Sequence, residues 1–177
     1  YTRFNARRKP ELLSPDTYSL IHFREAGRVV SEYNALANKA EEIYRQVPAR
    51  LKDAFFQLVL FPIKACANLN EMYVAAAMNR LYAEQGRAAT NLMAGKVRAL
   101  FRRDSAMTVS FHTELAGGKW NHMMSQTHIG YRWWQEPREN RMPGVQEISV
   151  PEKPIMGIAV EGSAESWPGS DTEPVLP

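Results

Sequence analysis

The sequence predicts a mainly α protein: an antiparallel bundle of four to five helices followed by an irregular, proline-rich C-terminal extension. Three observations predict this fold class. Apolar residues recur at steps of three and four until about Gly118, the connections between these stretches are short, and seven of the eleven prolines lie from Pro137 onward. Steps of three and four place apolar side chains on one face of a helix, and short connections favour antiparallel neighbours.

The predicted helices are separated by identifiable stop signals. Pro48 ends the first helix or opens the second, because proline suits a first helical turn and breaks an interior one. Pro62 is expected to kink the second helix, and Asp104 is expected to cap the start of a short fourth helix that ends at Gly117 and Gly118. The predicted spans are 26–47, 51–86, 87–101 and 104–115.

Composition limits the class of protein. With 177 residues, 45% hydrophobic and 23% charged, the chain is expected to be a soluble, packed protein without a membrane span or an apolar signal region. Lysines and arginines alternate with acids along the helices, which indicates a solvated surface and no nucleic-acid partner. Cys66 is the only cysteine, so an internal disulfide and a multi-thiolate metal site are excluded.

The chain divides into two predicted parts. Residues 1–136 form the helical bundle with an aromatic-rich closing stretch, and residues 137–177 form a linker and the truncated start of a C-terminal β domain. The stretches "QEISV" and "MGIAVEG" are strand-like in composition but too few to form a sheet with its own core. Because the chain starts at Tyr1 and closes with "EPVLP", we expect it to be a piece of a longer protein.

The run "KWNHMMSQTHIGYRWWQEPRENRMP", residues 119–143, is called the closing segment below. It holds three tryptophans, a tyrosine and two histidines without a helical or strand period. The aromatic rings could present flat faces to a sugar ring or another domain, or could seal one end of the bundle. We favour packing, because buried aromatic area is the commonest way to fix an irregular segment.

No catalytic motif or metal site is predicted in the chain. The spacings of His112, His122 and His128 match no common metal-ligand pattern. Asp104 and Glu114 are the candidates for paired carboxylates, but they are better explained as a helix cap and a helix-end surface charge. Nucleophile elbows and glycine-rich phosphate loops are absent, so no cofactor is expected.

Three stretches resemble glycoside hydrolase family 115, the xylan α-1,2-glucuronidases. They are "RRKPELLSPDTYSL", "FFQLVLFPIKACANLNEMYVAAAMNRLYAEQGRA" and "GGKWNHMMSQTHIGYRWWQEP". The resemblance covers about residues 7–167, and its motifs are long and unusual. It departs from the family pattern at Ser125, where an acid is expected, and this weakens any role of that position in binding a cation or a sugar hydroxyl.

The resemblance implies a multi-domain enzyme with a catalytic (β/α) barrel, then a helical bundle, then a C-terminal β domain. The family removes glucuronic acid or its 4-O-methyl form from xylan with inversion, using two carboxylates of the barrel. The chain is therefore expected to be the bundle of such an enzyme and to lack its catalytic carboxylates. Its expected partners are the missing barrel and β domain, with glucuronoxylan as substrate of a secreted or periplasmic, homodimeric parent.

Any contact with the sugar is expected from His128, Tyr131 and Trp134, which match the family motif. An alternative from a different class stays open: a free-standing helical module that binds carbohydrate or protein through residues 119–137. The reading frame that flanks the chain distinguishes the two interpretations.

Overall fold

The protein is described here from a computed structural model, which describes residues 12–131, 136–150, 152–153, 156–160, 162–164 and 167. Its helices are α1 (Glu25–Gln46), α2 (Ala49–Phe55), α3 (Phe61–Glu84) and α4 (Ala89–Thr113). Short 3-10 helices cover His22–Arg24 and Leu115–Gly118. The three long helices and one short helix confirm the predicted mainly α bundle.

Helix α1 forms where the apolar period predicts it. Its buried residues are spaced by three, four and seven positions, so they share one face: Ala26, Val29, Tyr33 and Ala40. The helix ends before Pro48 because a residue that precedes proline is driven out of the helical region, and Val47 is extended with φ −65° and ψ 130°.

Helix α3 is the centre of the bundle and packs against both α1 and α4. It is buried through most of its length, and the small residues Ala75, Ala76 and Ala77 allow its neighbours to approach closely. Its core contacts include Met72 on α3 and Val97 on α4, both fully buried. The predicted central position of this segment is confirmed.

Pro62 lies in the first turn of α3, directly after a π-helical turn over Phe56–Leu60 that joins α2 to α3. The backbone stays in the right-handed helical region at Phe55, Phe56, Leu60 and Phe61. Proline cannot donate the usual bond to the preceding turn, and the wider π-turn accommodates that loss without ending the helix. The proline marks a change of helical geometry within one continuous path.

The prediction that a helix begins at Asp104 is wrong. Helix α4 is continuous through this residue, and the Asp104 side chain is buried inside the bundle. An aspartate in a helix interior suggests a cap when only the local sequence is considered. Its hydrogen-bonding partner is instead His128, which lies 24 positions further along the chain.

The described part of the C-terminal extension contains no strand. Residues 136–150 have no regular secondary structure, and Met142 and Val145 pack against the core formed by α3 and α4. Further on, Ile158 and Trp167 form an isolated antiparallel bridge. The proposed boundary at residue 137 stays a prediction. None of the helices in the described ranges is long and apolar enough to cross a bilayer.

Candidate functional site

A groove of about 580 Å³ lies between the start of α3, the second half of α4 and residues 123–128 of the closing segment. Its walls are mainly apolar, and the residues that shape them are Leu58, Phe61, Met107, Phe111, Met123 and Met124. Its volume is in the range of small-molecule sites. The π-turn contributes to the rim, because Leu58 lies on it and is 75% exposed.

His128 and Asp104 form the polar part of the groove wall. The Nε2 of His128 lies 3.0 and 2.9 Å from the two carboxylate oxygens of Asp104. The other ring nitrogen, Nδ1, lies 3.1 Å from the carbonyl oxygen of Gln126. The Asp104 side chain is 4% exposed and that of His128 is 26% exposed. The pair is therefore held at the border between core and groove.

This geometry favours a structural role for His128. A catalytic carboxylate–imidazole pair leaves the second ring nitrogen directed at the substrate. Here the second nitrogen faces the Gln126 carbonyl, so both ring nitrogens are engaged within the chain. The imidazole donates to both acceptors when it is protonated. The pair binds the closing segment to α4.

The residues that follow His128 enter the core. Ile129 is fully buried, and the N–H of Gly130 donates to the hydroxyl of Tyr73 on α3 at 3.3 Å. Gly130 has φ +91°, and a Cβ atom there would lie 2.8 Å from the Cβ of Arg141. Only glycine fits this backbone conformation and this close approach. Burial raises the pKa of the Tyr73 hydroxyl above its ordinary range.

Side chains also join the middle of the closing segment to its later residues. The Thr127 hydroxyl lies 2.7 Å from the Pro137 carbonyl and 2.9 Å from Glu136, and the Thr127 N–H donates to Glu136 at 3.2 Å. The Asn140 carboxamide oxygen accepts from the main-chain N–H groups of His128 and Ile129 at 2.7 and 3.0 Å. The segment is thus cross-linked to itself and to two helices.

The predicted contact residues fall in different places. His128 lies on the groove wall, Tyr131 is half-buried, and Trp134 lies outside the described residues. Trp120 packs against the aromatic cluster of Phe61 and Phe111. This position agrees with packing as the role of that ring.

His112 and His122 lie close together near the end of α4, the first on the helix and the second in the closing segment. The rings of His112 and His122 are 6.1 Å apart, and the Nε2 of His112 accepts from the Met124 N–H at 3.1 Å. Within the ranges that the structure describes, no three His, Cys, Asp or Glu residues are grouped so that they could hold a metal ion. Cys66 is buried in the groove wall.

Several residues that build this site carry little local signal. Asp104, Tyr73 and Asn140 act through partners distant in sequence. The available clue is the burial of polar side chains on an apolar helix, since α3 buries Asn68, Asn70 and Asn79 among apolar residues. Buried polar side chains usually hold a hydrogen-bonding partner, so such positions indicate long-range contacts without naming the partner.

Compared with known proteins, the chain matches no protein-family model, and no curated protein is significantly similar to it.

Proposed function

We propose that this chain is the helical domain of a xylan α-1,2-glucuronidase of glycoside hydrolase family 115, and that it braces the catalytic barrel of the parent enzyme. The parent is a secreted or periplasmic, homodimeric hydrolase that removes glucuronic or 4-O-methylglucuronic acid from glucuronoxylan. The resemblance of the three stretches quoted above supports the family assignment.

One observation carries the bracing role: the most family-like residues are bound to the bundle itself. His128 pairs with Asp104 on α4, Ile129 is buried, and Gly130 bonds to Tyr73 on α3. Residues used in this way fix the path of the segment. They support a scaffold whose closing segment is rigid enough to be a surface for a neighbouring domain.

The proposed reaction requires two acidic side chains. Inverting hydrolysis of a glycoside uses a carboxylic acid and a carboxylate roughly 6.5 to 9.5 Å apart. Among the described residues that line the groove, Asp104 is the one carboxylate, and it is paired with His128. As the family resemblance implies, the proposal assigns the catalytic residues to the barrel of the parent and none to this chain.

A second candidate function is supported by the groove itself. Its volume of about 580 Å³ and its methionine-rich walls suit a ligand of moderate size. A free-standing binding module would use this surface together with the aromatic residues of 119–137. Alanine at Trp133 or Trp134 that abolished binding of a xylo-oligosaccharide, with unchanged melting, would favour this module over the bracing domain.

The coding sequence upstream of Tyr1 tests the proposal. We expect it to encode a (β/α) barrel with two carboxylates that face one cleft. An upstream sequence without such a barrel would contradict the assignment to a glucuronidase, whatever the stability of the bundle.

A further inference from the structure

Two asparagine side chains bind alternate residues of the segment 145–149, and this alternation is the pattern of an extended chain. The Asn79 carboxamide accepts from the Gln146 N–H at 2.8 Å and donates to the Gln146 carbonyl at 2.9 Å. Asn91 makes the same pair of bonds with Ile148, both at 2.9 Å. A carboxamide offers the donor and the acceptor of a peptide group. The two side chains therefore take the place of a neighbouring strand.

This arrangement leaves the opposite edge of the segment open. In an extended chain, the N–H and C=O groups of successive residues point to opposite edges. Since Gln146 and Ile148 point toward the helices, Glu147 and Ser149 point away from them. The main-chain groups of Glu147 and Ser149 form no hydrogen bond to any other described residue, and both residues are exposed.

The open edge is fixed in position by contacts that do not involve its own backbone groups. Val145 packs against the core of α3 and α4, and the Glu147 carboxylate pairs with Arg98 on α4 at 2.6 Å. Asn79 is 1% exposed and also donates to the Thr90 carbonyl at 2.9 Å. Because the segment is already ordered, pairing with a further strand costs little additional conformational entropy.

We propose that the outer edge of residues 145–149 is a strand-docking edge, and that its partner is an extended strand of the β domain that follows residue 177 in the longer polypeptide. This inference rests on the proposed function, which places a β domain after the bundle. Alternating main-chain donors and acceptors along one edge are matched by another polypeptide backbone in extended form.

The chain beyond Val150 already shows the required type of pairing. Ile158 and Trp167 exchange two main-chain hydrogen bonds of 2.7 Å, which is the smallest unit of an antiparallel sheet. Both side chains are substantially exposed, at 63% and 46%. A single exposed bridge has too little packed surface to be a stable sheet, and a sheet of several strands would cover such residues.

Amide hydrogen exchange tests the edge directly. The measurement compares this chain with a longer polypeptide that also contains the domain after residue 177. We expect the Gln146 and Ile148 amides to be protected in both. The Glu147 and Ser149 amides should slow by about tenfold or more only in the longer polypeptide.

A substitution of Asn91 tests whether the hydrogen bonds of the asparagine side chains order the edge. Asn91→Ala should speed exchange at Ile148 and reduce the protection of Ser149 in the longer polypeptide, whereas Asn38→Ala, at an exposed position on α1, should change neither. The wild-type comparison decides the proposal even if Asn91→Ala fails to fold.

The result that overturns the proposal is equal, fast exchange of Glu147 and Ser149 in both polypeptides while Gln146 and Ile148 stay protected. Release of glucuronic acid by the same longer polypeptide, extended upstream of Tyr1, separates this outcome from failure of the proposed function. Release of glucuronic acid together with fast exchange of the Glu147 and Ser149 amides would reject the docking edge alone. Slowed amides without activity would support the edge and reject the glucuronidase assignment.

Discussion

The Nε2 of His128 lies within 3.0 Å of both carboxylate oxygens of Asp104, so an irregular segment is bound to the interior of a helix. Asp104 is nearly inaccessible to solvent, which makes its hydrogen-bonding partner important for stability. A buried carboxylate that loses its partner keeps the full cost of desolvation.

We predict that His128→Ala lowers the free energy of unfolding by about 2 to 4 kcal/mol, because it leaves the Asp104 carboxylate unpaired. The double variant with Asp104→Ala should be less destabilised than the sum of the two single variants. Urea denaturation of the four proteins measures this coupling. Asp53→Ala, at an exposed position on α2, is the control and should change stability by less than about 0.5 kcal/mol. Additive effects of the two substitutions would show that the pair does not interact.

Gly130 and Gly95 form a matched pair of glycine positions with opposite expected effects. Gly130→Ala should destabilise by about 2 kcal/mol or more, because φ is +91° and the new Cβ would meet Arg141 at 2.8 Å. Gly95→Ala should stabilise by about 0.5 to 1 kcal/mol, since Gly95 lies inside α4 and an added Cβ would meet nothing within 4 Å apart from the adjacent backbone of its own helix. Thermal melting of both variants tests the prediction, and equal melting temperatures would contradict it.

The raised pKa of the Tyr73 hydroxyl predicts a loss of folding stability at high pH. Burial raises the pKa of the Tyr73 hydroxyl above its ordinary value of 10.0, the hydrogen bond from the Gly130 N–H opposes this in part, and the charge of Asp104 adds a smaller upward effect. As the pH rises, Tyr73 therefore ionises in the unfolded chain before it ionises in the folded one. The contribution of Tyr73 to folding stability is complete below pH 10.0 and is lost as the pH rises through the folded-state pKa.

Tyr73→Phe tests this dependence, because it removes the titrating group. It should reduce the decline of stability above pH 10.0 and cost about 1 kcal/mol at neutral pH, where Gly130 loses its acceptor. Denaturation curves across this pH range provide the measurement. An unchanged alkaline decline in the variant would assign the effect to other groups.

Phe23 is a strained, exposed position. It has φ +56°, which is unfavourable for a bulky side chain, and it is 90% exposed, so the ring contributes little packing. Phe23→Gly should therefore stabilise the fold by about 1 kcal/mol. Phe23→Ala is the control, since alanine keeps most of the backbone strain. Destabilisation by the glycine variant would show that the ring makes a needed contact.

The apolar period predicted the helices well because it depends on local geometry. The buried face of α1 and the central position of α3 followed from steps of three and four. Asp104 misled the prediction because its partner is distant in sequence, and a local pattern contains no information about such a partner. The result was two predicted helices where α4 is one.

The closing segment also shows that a local sequence pattern does not identify distant hydrogen-bonding partners. Its aromatic content directed attention to residues 119–143, but the attachment of its described residues depends on polar groups of the helices and of its own later residues. Tyr73 and Asn140 supply hydrogen bonds to backbone groups of this segment that composition cannot identify. The sequence predicted a packed segment, whereas the specific bonds required the three-dimensional arrangement.

Release of glucuronic acid from glucuronoxylan tests the central claim most directly. We expect release by a polypeptide that contains this chain and the domain encoded upstream of Tyr1, and none by the 177-residue chain alone. Substitution of the carboxylates of the proposed barrel should abolish the release while the melting of the bundle is unchanged. Release by the isolated chain, or no release by the correctly folded longer polypeptide, would contradict the assignment.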